Sequence, residues 1–232
     1  MRKLAFLFVA FALVALTFYG CDETSPTEPT ATAVPSLGVG GMPTSSSSTF
    51  DSGNEGWTIA GDANGASGYG GESAVGYAVY PDHDAGGGNP GGAIYATDDS
   101  RGIDWNWQAP PRFLGNRLGV YGGSIEFDRK RATLDDQFNG VRPDVILAGG
   151  GMTLVIDPCP SPGLTWTHCS VPLNADAGWR VNRLVVGADA TAAEIRTVLK
   201  DLTVLRIQGE FQYGWDRGWL DNVRIIPKGQ AK

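Results

Sequence analysis

The stretch that decides the fold is Asp144-Val145-Ile146-Leu147-Ala148-Gly149-Gly150-Gly151-Met152-Thr153-Leu154-Val155-Ile156-Asp157. Two apolar runs of strand length flank three glycines, which predicts strands over 144–148 and 152–157. Working outward, the same grammar repeats. Residues 93–96 and 103–107 alternate apolar and polar with period two, 123–127 gives a further strand, and 220–226 a last one. Residues 164–171 are expected to pair with 152–157 across the loop 158–163. Residues 49–51 and 56–59 open the series, 61–92 is too polar and glycine-laden for a core, and 110–116 reads as a turn or a single helical turn. One helix stands out: Thr191-Ala192-Ala193-Glu194 is a capping box, with Ile195, Val198, Leu199 and Leu202 behind it on one apolar face. Leu205 and Ile207 then alternate with Arg206 and Gln208. About ten short strands and one short helix predict an all-β fold, an antiparallel β-sandwich of jelly-roll type.

Composition narrows the function classes. The chain has 232 residues, 42% of them hydrophobic, so a core can form; its 33 glycines and 14 prolines fit a turn-rich β protein. The net charge of -7 argues against nucleic acid or an anionic membrane surface as the main partner. Collagen, coiled coil and multi-span membrane protein are excluded.

The N-terminus reads as an address. Arg2 and Lys3 precede an apolar run over 4–16, too short for a comfortable transmembrane helix, and the segment stops at Gly20-Cys21. This resembles the signal of a bacterial lipoprotein, in which the cysteine is diacylated and becomes the new N-terminus; the alternative is an ordinary secreted protein cut near Gly20. The expected organisation is a signal peptide over 1–20, a Ser/Thr/Pro-rich tether over 21–48, a folded domain over 49–228 and a tail over 229–232. A flexible tether of that length spans about 30 Å. The implied location is the cell envelope, lipid-anchored at Cys21 and facing periplasm or exterior. That leaves Cys159 and Cys169 as a disulfide pair in an oxidising compartment, closing a short loop for roughly 3 kcal/mol; two reduced cysteines at a hairpin base are the alternative.

An ordered set of signatures carries a family resemblance. It runs Phe50-Asp51-x3-Glu55-Gly56-Trp57, Pro90-Gly91-Gly92, Trp107-x-Ala109-Pro110-x2-Phe113-Leu114-Gly115-Asn116, Tyr121-Gly122-Gly123, Gly149 to Leu154, Trp166-Thr167, Val171-Pro172-Leu173, Gly178-Trp179 and Leu220-Asp221-Asn222-Val223. In this order they resemble the laminin B (laminin IV type A) domain. The resemblance implies a galactose-binding-like sandwich without catalysis, concerned with matrix, adhesion or glycan contact. The Cys159/Cys169 pair and the long 61–92 insert depart from the pattern.

Asp51 and Asp221 sit near the two ends of the domain, similar to carbohydrate-binding sandwiches in which an acid from each end helps hold a structural calcium. Two carboxylates supply only part of the six to eight oxygens that Ca²⁺ takes, and capping of backbone amides is the competing role. No other cofactor is implied. For ligand contact the candidates are Tyr213, Trp215, Asp216, Arg217 and Trp219, because sugars stack on aromatic rings beside polar groups. Trp57, Trp107, Trp166 and Trp179 read as core or edge packing. His83 and His168 form no zinc or triad pattern. Enzyme motifs are missing; for a glycosidase the least implausible acids are Asp135 with Asp136 and Glu126 with Asp128. The latter pair, beside Arg129, Lys130 and Arg131, reads as a solvated edge. The expected partner is a glycan or a surface protein.

Overall fold

The structure, a computed structural model, describes residues 45–61, 79–98, 104–134 and 142–230. Its strands in chain order are β1 (Ser46–Ser48), β2 (Thr58–Ala60), β3 (Asp82–Asp84), β4 (Ala93–Asp98), β5 (Asn106–Gln108), β6 (Ser124–Arg131), β7 (Val145–Gly149), β8 (Met152–Ile156), β9 (Thr167–Pro172), β10 (Arg180–Val181), β11 (Leu202–Gln208) and β12 (Asp216–Ile226). They form two antiparallel sheets. The first has the order β3-β4-β12-β6-β9, with β1 added alongside the far half of β12; the second runs β10-β8-β7-β11-β5-β2. The expected β-sandwich is what the chain forms.

The inner faces follow from alternation. Leu205 and Ile207 of β11 are buried while Arg206 and Gln208 are half-buried, and Ile125, Phe127, Val171 and Leu220 fill the space from the first sheet. Trp57, Trp105, Trp107 and Trp179 are all buried in the same core, Trp105 and Trp107 edge to face at 4.8 Å. The one α-helix, α1 (Ala192–Lys200), has the expected capping box and buries Ile195, Val198 and Leu199. Leu202 lies beyond it and starts β11 instead. The glycine turn after β7 has a packing reason: a Cβ on Gly149 would drive into the carbonyl oxygens of Val198 and Asp201, so only glycine lets the helix end approach.

Four expectations are corrected. Residues 164–171 do not pair with 152–157; β9 pairs with β6 in the opposite sheet, with Phe127 facing Cys169. Pro158, Pro160 and Pro162 stand between the two strands, and a proline-rich link cannot close a tight ladder. The Cys159–Cys169 disulfide is formed, and it therefore joins the end of a strand in one sheet to a strand of the other. β1 begins inside the serine run assigned to the tether. Serine does not hinder edge pairing, and Ser48 is buried, accepting from Trp57 Nε1 at 2.9 Å. The last strand starts at Asp216, four residues earlier than expected, and a β-bulge with Asn222 at φ 52° bends it after Asp221.

The fourth correction concerns β6, which is an interior strand between β12 and β9, not a solvated edge. Its Arg129 and Arg131 point inward and are buried. Arg129 Nη2 meets Asp144 Oδ1 at 2.6 Å, and the guanidinium lies 5.2 Å from each of the Phe127 and Phe211 ring centroids. Asp144 Oδ2 accepts from Cys159 N at 2.7 Å, so one carboxylate ties the first sheet to the disulfide and to β7. Burial lowers the Arg129 pKa, and the Asp144 charge opposes that shift. Removing Asp144 leaves the buried Arg129 charge without its hydrogen-bonded partner, with only the Asp157 charge and a 3.4 Å contact to Gln208 Oε1 to offset its burial. Asp144→Ala should therefore cost about 3–5 kcal/mol in urea-unfolding free energy; a loss under about 1 kcal/mol would contradict the buried pair.

Candidate binding face

Alternation along the first sheet sends one set of side chains away from the core. On β12 these are Arg217 and Trp219, on β4 Tyr95 and Thr97, on β6 Glu126, Asp128 and Lys130, each at or near half burial except Asp128. Register then aligns them. Tyr95 faces Trp219, which faces Lys130. Lys130 Nζ lies 4.9 Å from the Trp219 ring centroid and 4.7 Å from that of Trp166, the residue just before β9. Tyr95 and Trp219 have centroids 5.9 Å apart at 33°. The result is a row of three aromatic rings and one ammonium running across four adjacent strands. With Asp82 of β3 opposite Tyr95, it spans the sheet, about 19 Å at ordinary strand spacing.

Polar groups border the row. Arg217 Nε donates to Thr97 Oγ1 at 2.8 Å, and its guanidinium sits 5.3 Å from the Tyr95 ring centroid and 5.7 Å from that of Trp215. Trp219 Nε1 donates to Asp84 Oδ2 at 3.3 Å, and Lys130 Nζ to Gly87 O at 3.0 Å. Asp84 and Gly87 belong to β3 and the turn after it, so the β3–β4 connection forms a wall along one side.

A second row lies next to the first. Asp221 faces Asp128, and Asp128 faces His168, whose Nδ1 is 2.7 Å from Asp128 Oδ1. Asn89, from the β3–β4 connection, covers this row. Its backbone N–H donates to Asp221 Oδ2 at 2.6 Å and its Nδ2 to Asp128 Oδ2 at 3.2 Å, while Asn222 Nδ2 donates back to Asn89 O and to Asp128 Oδ2. Asp221 is fully buried. Burial pushes its pKa up to about 6, the Asn89 and Asn222 amides pull it down, and the Asp128 and Asp51 charges add to the rise.

The sequence-derived candidates thus divide. Trp215, Arg217 and Trp219 share the outer face, with Trp215 and Tyr213 exposed on the turn before β12. Asp216 does not join them: it points inward, accepts from Phe211 N at 2.7 Å, and burial raises its pKa to about 6. Trp166, read as packing, belongs to the face instead. Lys130, read with Arg129 and Arg131 as part of a solvated edge, belongs to the face as well, and Tyr95 joins it from a strand read only for its alternation. Only strand register brings them together, although the period-two alternation of β12 would have shown that Asp216, Gly218 and Leu220 share the inner side.

Asp51 and Asp221 approach closely enough to interact electrostatically, and β1 does lie beside β12. Their oxygens are engaged, however, by Thr49 and Gly92 on Asp51 and by Asn89 and Asn222 on Asp221. Among the described residues no group of three or more His, Cys, Asp or Glu side chains is placed to hold a metal ion. The arrangement fits a hydrogen-bonded junction better than a calcium shell. Asp135 and Asp136 lie outside the described residues, as do Cys21 and the segments over 1–44.

The laminin B (domain IV) family matches residues 106–226, just over half of the chain. The chain belongs to the laminin B family. The matched residues include β6, β9 and β12, and so Lys130, Trp166 and Trp219. Among solved structures, the L4b domain of human laminin alpha-2 is 18% identical over 52% of this chain and 69% of that one, with a TM-score of 0.47. The family 11 carbohydrate-binding module of Clostridium thermocellum, in complex with a β-1,3-1,4-mixed-linked tetrasaccharide, is 14% identical over 82% and 92%, at 0.41. The N-terminal cellulose-binding domain of Cellulomonas fimi β-1,4-glucanase C is 15% identical over 76% and 91%, at 0.36. No curated protein matches the chain.

The buried acids give this laminin B domain a testable pH response. Asp216 and Asp221 titrate near 6 and Glu210, held by Arg142 but desolvated, near 7. All three lie above their unfolded values. Each therefore adds stability in full below about pH 4, and loses it as pH rises through its folded value. Unfolding free energy should rise by on the order of 1 kcal/mol per group between pH 8 and pH 5. Asp216→Asn and Asp221→Asn should each flatten that slope in urea titrations at several pH values. An unchanged slope in both variants would count against the burial of these acids.

Proposed function

We propose that this chain is a non-enzymatic envelope protein, anchored by lipid at Cys21, whose outer face on the first sheet binds an extended glycan. The observation that carries the reading is the row Tyr95, Trp219, Lys130 and Trp166, aligned across four strands. A sugar ring offers an apolar C–H face to an aromatic plane and hydroxyls to groups beside it. Here the planes are spaced by the strands, and the Arg217 guanidinium, tied to Thr97, borders them. Catalysis finds less support, because Asp128 and Asp221 already accept hydrogen bonds from His168, Asn89 and Asn222.

Trp219→Ala and Trp166→Ala should each weaken binding to soluble polysaccharides by about tenfold in affinity electrophoresis, without loss of the folded melting transition. Undiminished binding by the double variant would reject the face as the site.

A second reading, assembly with a protein partner, rests on Val185 and Val186. Both are about three-quarters exposed in the turn after β10, where with Leu184 they line a groove beside Pro143 and Val155. Cross-linking in cells that recovers one protein through this turn, together with silence toward all glycans, would favour it.

The anchor is supported by Arg2, Lys3 and the Gly20-Cys21 boundary, and an oxidised Cys159–Cys169 pair suits an exported compartment. Mass spectrometry of the mature protein should find a diacylglyceryl-modified Cys21 at the N-terminus, and Cys21→Ser should release the chain from the membrane fraction. An unmodified, uncleaved N-terminus would refute the anchor.

A further inference from the structure

Two cations stand on the aromatic face of a protein whose net charge is -7. Lys130 lies between the Trp166 and Trp219 rings, and Arg217 lies against Tyr95 and Trp215. Their remaining partners are neutral oxygens, Gly87 O and Thr97 Oγ1. Among the described residues neither has a carboxylate within ion-pair distance, although six other ion pairs there use arginine and one uses His168. The acids on the same face are committed elsewhere. Asp84 accepts from the Trp219 indole, Asp128 is engaged by His168, Asn89 and Asn222, and Asp221 is covered by Asn89. Asp82 remains exposed at the β3 end of the row, opposite Tyr95, and makes no ion pair with either cation among the described residues.

A cation beside an aromatic ring keeps donors free while the ring covers its apolar stem. Lys130 has three N–H donors, one of them used by Gly87; Arg217 has a planar fork suited to a carboxylate. Each stands where the edge of a stacked sugar would come.

We infer that the face selects glycans that carry a carboxylate on the sugar ring, a polyuronate and not a neutral glucan, with Lys130 and Arg217 as the specificity-determining residues. This rests on the glycan reading above. Lys130 and Arg217 occupy diagonal positions on adjacent strands, their backbones about 7–8 Å apart, and each charge leans on a different pair of rings. That low density suits a polymer with one charge per ring better than a heavily sulfated one. A carboxylate reaching Lys130 sits between two indole faces, where water is scarcer and the attraction is stronger than on an open surface.

The test is titration of the full chain against polygalacturonate, a neutral mixed-linkage β-glucan and dextran sulfate, in calcium-free buffer at low and at 0.3 M salt. Polygalacturonate should bind about tenfold more tightly than the neutral glucan at low salt, and should lose that margin at high salt. Lys130→Gln and Arg217→Gln should each weaken polygalacturonate binding by about five- to tenfold and neutral-glucan binding by about twofold or less, so that the margin between the two ligands narrows. Should either variant fail to fold by circular dichroism, the salt dependence of the unaltered chain decides. Neutral glucan binding as well as or better than polygalacturonate overturns the selectivity while leaving the glycan reading intact. Tighter binding to dextran sulfate overturns the assignment to carboxylate. No binding to any of the three overturns the glycan reading and this inference with it.

Discussion

A single buried ion pair sets the geometry on which the sandwich depends. Arg129 reaches from β6 into the interior and ends on Asp144, at the entrance to β7 in the facing sheet. An unpaired guanidinium in that position would be costly, so the two sheets have one favourable separation and one favourable offset. The Asp144 carboxylate also accepts from the Cys159 backbone, which fixes where the covalent link to β9 leaves the second sheet. The rings of Phe127 and Phe211 both pack on the cation, each centroid 5.2 Å away, and Arg129 is fully buried beside them. Whether such pairs add net stability is context-dependent; that they specify one arrangement over others fits this site well.

From that constraint the outer face follows. Because Arg129 and Arg131 point inward, Lys130 between them must point outward, and the pairing of β6 with β12 places it beside Trp219. The inside of the first sheet thus specifies the outside. Arginines in the core and a lysine among aromatic rings are consequences of one alternation along one strand.

Much of this was legible in the chain. The capping box at Thr191, the alternation over 93–96 and 205–208 and the cysteine pair each reflect local chemistry, and each is found where expected; among the described residues the run read over 103–107 forms a strand only over 106–108. The ordered laminin B signatures carried the family. What local pattern cannot carry is the identity of a strand's neighbour. Residues 164–171 look like the second arm of a hairpin until the three prolines before them are weighed as a crossing between sheets. Arg129 and Arg131 look solvated because charge usually is, and only Asp144 and Asp216 from distant parts of the chain make their burial tolerable. The aromatic row was hardest to see: Tyr95, Lys130, Trp166 and Trp219 come from four separate segments and meet only through register.

The aromatic row runs from the β3 border of its sheet to the β9 border, and both are outermost strands. Among the described residues no wall closes either end. On the proposed reading, a face open at both ends would take the middle of a long polymer as readily as its terminus, with no need for the polymer to be cut first. If the proposed function holds, many copies would occupy one strand side by side, and weak individual contacts would combine into a firm hold between a surface and the fibre lying across it.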